Sequence, residues 1–224
     1  VRFRTWFYRV DLSKLITFKV DSGEFADSFW KTSAELLETF RAGKSLMVHP
    51  TRWVLEGLQK NPQATAFGDL SQNFTDNETV PCLEMLEGVP QYAVRSATLP
   101  PASMTNAFLL GDSEAPKLLV DPSPNFGEEY LRLLNTIKVK KLDAIFLTHH
   151  HPDHHQFSNQ LARQLKLPII LSQDTQQRLT LKNGEDYFEQ IELRNVVEKE
   201  EVTRWHGSAV RVYEIPGHDA GHLG

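Results

Sequence analysis

Five of the chain's nine histidines fall within seven residues, as Thr148-His149-His150-His151-Pro152-Asp153-His154-His155. The run follows directly on an apolar stretch, Ala144-Ile145-Phe146-Leu147, that has the make-up of a buried strand. In an extended segment, residues two apart point the same way, so His149 and His151 can reach one metal ion. Pro152 fixes φ and bends the path, which lets Asp153 and His154 face a neighbouring position. Imidazole and carboxylate together suit Zn²⁺ and also admit Fe or Mn. An expression tag is a poor reading, because tags sit at termini and lack an embedded Pro-Asp. A solvated polar loop without a ligand is the plain alternative, and the spacing argues against it.

Two or three ligands do not close a site. A further donor is offered by Ile215-Pro216-Gly217-His218-Asp219-Ala220-Gly221-His222, where two glycines let the backbone turn and leave His218 at a strand end. His149, His151 and His218 would make a three-histidine site with one open position. That arrangement lowers the pKa of a coordinated water to ~7.

These ligands need strands and helices to hold them. From about Glu84, short apolar strands alternate with helical patterns. The predicted strands cover Asn106 to Leu110, Lys117 to Asp121, Ala144 to Thr148, Pro168 to Ser172 and Ala209 to Ile215. Tyr130, Leu133, Leu134 and Ile137 keep helical spacing, as do Phe157, Leu161 and Leu165. Alternation of this kind predicts a layered α/β domain. Residues 61–83 are rich in turn formers and read as a linker. Upstream of them, residues 2–10 and Thr17 to Val20 have strand composition. Thr32 and Glu35 form a capping-box pattern that opens a helix through Leu36, Leu37 and Phe40, and a second helix carries Trp53, Leu55 and Leu58.

His149-x-His151-x-Asp153-His154, preceded by a strand and Thr148, resembles the signature of the metallo-β-lactamase superfamily. Pro216-Gly217-His218 is similar to that family's second metal motif. The resemblance covers roughly residues 84–224. It implies part of an αββα sandwich, with metals at one edge of the sheets. It also implies His149, His151 and His218 around a first metal, with Asp153 and His154 contributing to a second. Asp121 would stand behind these ligands, or else be an exposed turn carboxylate. The chain departs from the family where Gln156-Phe157 replaces the common Gly-Gly and Asp219-Ala220 replaces Thr-Pro. The family's bridging aspartate and last histidine lie further along the fold, and the chain begins with Val1 and stops at Gly224. A longer parent protein is therefore expected.

Residues 1–62 resemble the C-terminal half of a Nudix hydrolase domain. The likeness rests on Arg2-Phe3 leading a strand, Ser22-Gly23-Glu24 before Phe29-Trp30, a helix, and Pro50-Thr51 before a second helix. No Arg-Glu-x-x-Glu-Glu run occurs, and Glu35 and Glu38 read as solvated faces of an ordinary helix, so this segment would be structural. The expected organisation is thus 1–62 as a small α+β Nudix-like segment, 63–83 as linker and 84–224 as the front part of the metallo-β-lactamase domain.

The function this implies is a metal-dependent hydrolase. A metal-held hydroxide would attack an ester, thioester, lactone, amide or phosphodiester, with Zn²⁺ as the expected metal and Asp153 orienting the water. Two other readings stay open: a mononuclear-iron enzyme of the same fold that oxidises sulfur substrates, and an inactive binding or scaffold fragment. A net charge of −5 weighs against RNA and leaves a small molecule as the expected substrate. Cys82 is the single cysteine, which predicts a reducing, cytoplasmic setting and no nucleophile role. No apolar run approaches the ~18 residues of a membrane span. The basic run Lys138, Lys140 and Lys141 reads as a solvated helix end.

Overall fold

Short strands with every residue apolar need cover on both faces, and the computed structural model provides it. It describes residues 6–17, 23, 27–66 and 78–224. A seven-stranded sheet runs in chain order: β1 (Cys82–Leu86), β2 (Val89–Arg95), β3 (Met104–Leu110), β4 (Leu118–Val120), β5 (Ala144–Phe146), β6 (Ile169–Leu171) and β7 (Leu193–Asn195). The first four strands pair antiparallel, and β4 to β7 pair parallel. Parallel neighbours need crossovers. These come from α3 (Gly127–Ile137), from α4 (Pro152–His155) with α5 (Ser158–Leu165), and from α6 (Gln173–Asn183) with the 3₁₀ turn Glu185–Phe188.

Period two divides the strand residues between two cores. Leu119, Ile145, Ile169 and Leu171 pack with Leu133, Ile137, Leu161 and Leu179 from the helices. Their neighbours Leu118, Ala144, Phe146 and Ile170 point the other way, against Val202, Val212 and Leu223. Val202 belongs to a hairpin of β8 (Glu201–Trp205) and β9 (Ser208–Arg211). The predicted strands at 106–110, 117–121, 144–148 and 168–172 all form, with shifted ends. Val80 lies in the first core and Cys82 opens β1, so the last residues of the 63–83 stretch are built into the sheet.

Upstream, α1 (Ser33–Arg41) and α2 (His49–Lys60) pack around Leu37, Phe40 and Met47. The pair rests on the sheet edge: Met47 N–H donates to Met85 O at 2.8 Å, and Glu84 N–H donates to His49 Nε2 at 2.8 Å. The predicted capping box is present, with Glu35 N–H on Thr32 Oγ1 at 3.2 Å and Thr32 N–H on Glu35 Oε2 at 2.7 Å. Replacing Thr32 by alanine removes one of these and is expected to cost about 1 kcal/mol; urea denaturation followed by circular dichroism measures it.

The strand expected over residues 2–10 does not form across residues 6–10, which run without regular structure and are exposed. Aromatic and β-branched composition suits a strand only where a neighbour supplies the ladder. Residues 1–5 lie outside the described residues, as do 18–20 of the second expected strand. The Nudix-like likeness therefore gains no support: residues 6–17 and 27–62 supply two helices and no strand.

Candidate metal centre

The carboxyl ends of parallel strands are where open α/β sheets bind ligands, and the histidines collect there. Asp121 directly follows β4, and Thr148 to His151 follow β5. The chain end reaches the same edge. Residues 213–224 fold back on themselves, with Ile215 N–H donating to His222 O at 2.9 Å and Gly224 N–H to Tyr213 O at 2.9 Å. Leu223 N–H then donates to Thr148 O at 3.0 Å and anchors this loop beside the histidine run. His218 is carried at its tip.

Three ring nitrogens converge. His149 Nε2 is 3.0 Å from His151 Nδ1, which is 2.9 Å from His218 Nε2. These form a group whose donor atoms all lie within 4.8 Å. A tetrahedral ion with bonds of about 2.0–2.1 Å would set such nitrogens about 3.3 Å apart, so a slight spreading of the rings admits one. The donor chemistry fits as well. Burial, followed by the neighbouring His154, His222, His151 and His218, pushes His149 down to about 3. Burial, His150 and His218 also lower His151, and burial and His218 lower His222. Neutral imidazole is the form that binds a metal.

A hydrogen-bond chain behind His149 aims it. Thr148 N–H donates to Asp121 Oδ1 at 2.8 Å, and Thr148 Oγ1 donates to Asp121 Oδ2 at 2.6 Å. With its proton so engaged, Thr148 Oγ1 accepts from His149 Nδ1 at 2.9 Å, which leaves the Nε2 lone pair facing His151. Asp121 Oδ2 also takes His154 Nδ1 at 2.8 Å. Burial draws the His154 pKa down, but this bond and the charges of Asp121 and Asp153 outweigh it, and the net shift is upward. Asp121 is buried, which removes the exposed-turn alternative.

Asp153 and His154 stand beside the three-histidine group. The His154 ring centroid is 4.1 Å from that of His149, and His154 Nε2 is 3.6 Å from Asp153 Oδ2. The backbone of Asp153 is held from below: its carbonyl accepts from Thr105 Oγ1 at 2.9 Å and from Ser123 Oγ. Sequence reasoning did not single out His222, whose ring lies 4.6 Å from His149. The repeated Gly-His at 217–218 and 221–222 is the signal that could have found it.

A layered α/β fold with this histidine edge defines a class, and a family model agrees. The description "Metallo-beta-lactamase superfamily" matches residues 100–224, more than half of the chain, and the chain belongs to that superfamily. It is 31% identical over 122 residues to a hydroxyacylglutathione hydrolase of Wigglesworthia glossinidia brevipalpis, a match that covers 52% of this chain and 40% of that protein. It is 32% identical over 127 residues to one of Crocosphaera subtropica, covering 56% and 44%. The chain thus spans less than half the length of these curated relatives. In structure it is similar to a beta-lactamase domain protein from Burkholderia ambifaria, with a TM-score of 0.50 at 19% identity over 67% of this chain and 53% of that one, a likeness of fold. No helix among the described residues is long and apolar enough to cross a membrane.

Proposed function

We propose that this chain carries the metal-binding front part of a metal-dependent hydrolase domain, placed at residues 84–224. His149, His151 and His218 hold one divalent ion, zinc by their chemistry, and Asp153 and His154 contribute to a second position beside it. The observation that carries this reading is the convergence of ring nitrogens from three histidines on one point. Bound there, the ion would acidify a coordinated water and draw charge from the oxygen of the bond under attack.

The chain's own residues do the rest. Asp121, through Thr148, holds the His149 lone pair toward the ion, and Asp121 also sets the His154 ring. The Asp153 carboxylate, next to His154 Nε2, accepts a proton from water and orients it. Among ester, thioester, lactone, amide and phosphodiester substrates, the relatives named hydroxyacylglutathione hydrolase favour a small glutathione thioester. A single cysteine fits a cytoplasmic setting.

Metal analysis of the purified protein, together with a hydrolysis panel of a glutathione thioester, a lactone, a β-lactam and a single-stranded RNA, tests this. The intact protein should cleave the thioester, and His149→Ala should lose both the ion and the activity. That loss should exceed the about 10–100-fold typical of an outer partner. Unchanged metal content in His149→Ala would sink the site. Iron with oxygen uptake on a sulfur substrate would replace hydrolysis with oxidation.

A further inference from the structure

The loop that carries His218 is gripped by an element that supplies no imidazole. Gly221 is buried, and its carbonyl accepts Ser172 Oγ–H at 2.9 Å. Ser172 directly follows β6 and caps α6, where its Oγ accepts Thr175 N–H at 3.1 Å. Such a cap uses the hydroxyl only as an acceptor, so the Ser172 proton is available to the loop. Thr175 is fully buried, and its Oγ1 lies 3.0 Å from Ser172 Oγ and 3.4 Å from the Gly221 carbonyl oxygen. The same turn of α6 leaves no room for a side chain on the loop. A Cβ added at Gly221 would lie 2.4 Å from Asp174 Oδ2 and 2.8 Å from Asp174 Cβ. Asp174 Oδ2 is in turn held by Arg178 Nε at 2.7 Å.

The grip at Gly221 reaches His218 through the loop's own bonds. Gly221 N–H donates to Asp219 Oδ1 at 3.0 Å, His222 N–H to Asp219 O at 3.3 Å, and Ile215 N–H to His222 O at 2.9 Å. These bonds join residues 215–222 into one piece, so a bond on Gly221 restrains His218 at its exposed tip. The foot of the loop is tied to Thr148 through Leu223 N–H, and Ser172 adds a second tie on the side of α6. Ligands held at their bound separation bind more tightly, because less freedom is lost when the ion arrives.

We propose that Ser172 is a positioning residue for the metal centre: its hydroxyl holds the Gly221 carbonyl and so keeps His218 set against His149 and His151. The proposal rests on the assignment of those three histidines as ligands. It gives Ser172 no coordination of its own.

The test is a cobalt(II) titration of the whole chain, read by visible d–d absorption and by the number of ions bound at saturation. The proteins compared are wild type, Ser172→Gly, Ser172→Thr, Gly221→Ala and His149→Ala. Glycine serves almost as well as serine at a helix N-cap, so Ser172→Gly removes the loop bond while α6 stays capped. Its apo form should therefore melt near the wild-type temperature. It should bind cobalt about 5-fold more weakly, the weight of one net hydrogen bond, at the wild-type stoichiometry. Ser172→Thr keeps the hydroxyl and should bind as wild type does. Gly221→Ala pushes the loop off Asp174 and should weaken binding further than Ser172→Gly. Wild-type affinity and spectrum in Ser172→Gly would confine Ser172 to the fold, whatever the melting temperature, and overturn the proposal. A Ser172→Thr protein as weak as Ser172→Gly would also overturn it, because the hydroxyl would then not be what matters. Should Gly221→Ala fail to fold, the two Ser172 variants decide the matter. If His149→Ala binds cobalt like wild type, the ligand assignment fails. If His149→Ala loses cobalt and Ser172→Gly does not weaken, the positioning role alone fails.

Discussion

Asp121→Ala is expected to weaken metal binding by about 10–100-fold and to destabilise the apo protein by about 1–3 kcal/mol. Both effects come from one carboxylate. Asp121 accepts Thr148 N–H and Thr148 Oγ1–H, and it accepts His154 Nδ1 on the second oxygen. Without it, a part-buried backbone N–H just past the end of β5 loses its acceptor, which accounts for the stability cost. The Thr148 hydroxyl is then free to turn its proton toward His149 Nδ1. That would favour the tautomer with the proton on Nε2, where the lone pair is needed. His154 loses its orienting partner in the same step. Asp121→Asn separates the contributions. Its amide oxygen can still accept Thr148 N–H, while its NH₂ faces two donors, so stability should recover more than metal affinity does. Cobalt titration and urea denaturation of both variants provide the measurements. Wild-type affinity in Asp121→Ala would show that the chain behind His149 does not set its orientation.

Gly111→Ala should do the opposite, costing about 3 kcal/mol or more in stability while leaving metal affinity of the folded protein unchanged. Gly111 closes β3 with a φ of +126°, a region that side chains rarely enter. An added Cβ would lie 2.3 Å from Pro116 O and 3.0 Å from Lys117 Cα, both backbone atoms of the facing segment, and 3.0 Å from Thr203 Oγ1. None of these is the far end of a flexible side chain, so the β3–β4 connection must distort. Leu110 pairs with Leu118 at the start of β4, whereas Asp121 follows its end. The damage is therefore at the edge of the sheet away from the metal centre. A drop in thermal stability with an unchanged cobalt dissociation constant is the expected pair of results. A large loss of affinity in the folded variant would show that the two edges are coupled.

Several elements were legible because their signals are local. The apolar runs at Ala144 and Ile169, the helical spacing of Tyr130 to Ile137, and the Thr32–Glu35 box each depend on residues within a turn or two. The hairpin of β1 and β2 was not singled out, because Pro90 and Gln91 interrupt its alternation and Tyr92 and Val94 become buried only through pairing with β3. Nor was α6 picked out, since only Thr175 and Leu179 of its eleven residues are buried and the rest is polar apart from the exposed Leu181. At residues 6–10 the error ran the other way: the composition of a strand was present without a partner to pair with.

At the candidate site the same division holds. The order of residues alone determined the kinds of donor and the alternation that puts His149 and His151 on one side. Those depend on covalent spacing and backbone geometry, which the chain carries wherever it goes. Only the tertiary structure decided that His151 and His218, 67 positions apart, bring ring nitrogens within 2.9 Å. It also decided that Asp121 is buried behind the ligands and that His222 approaches His149. A ligand set is a distance between remote segments, and that distance exists only once the parallel strands have set Asp121 beside Thr148 and the last loop has closed onto them.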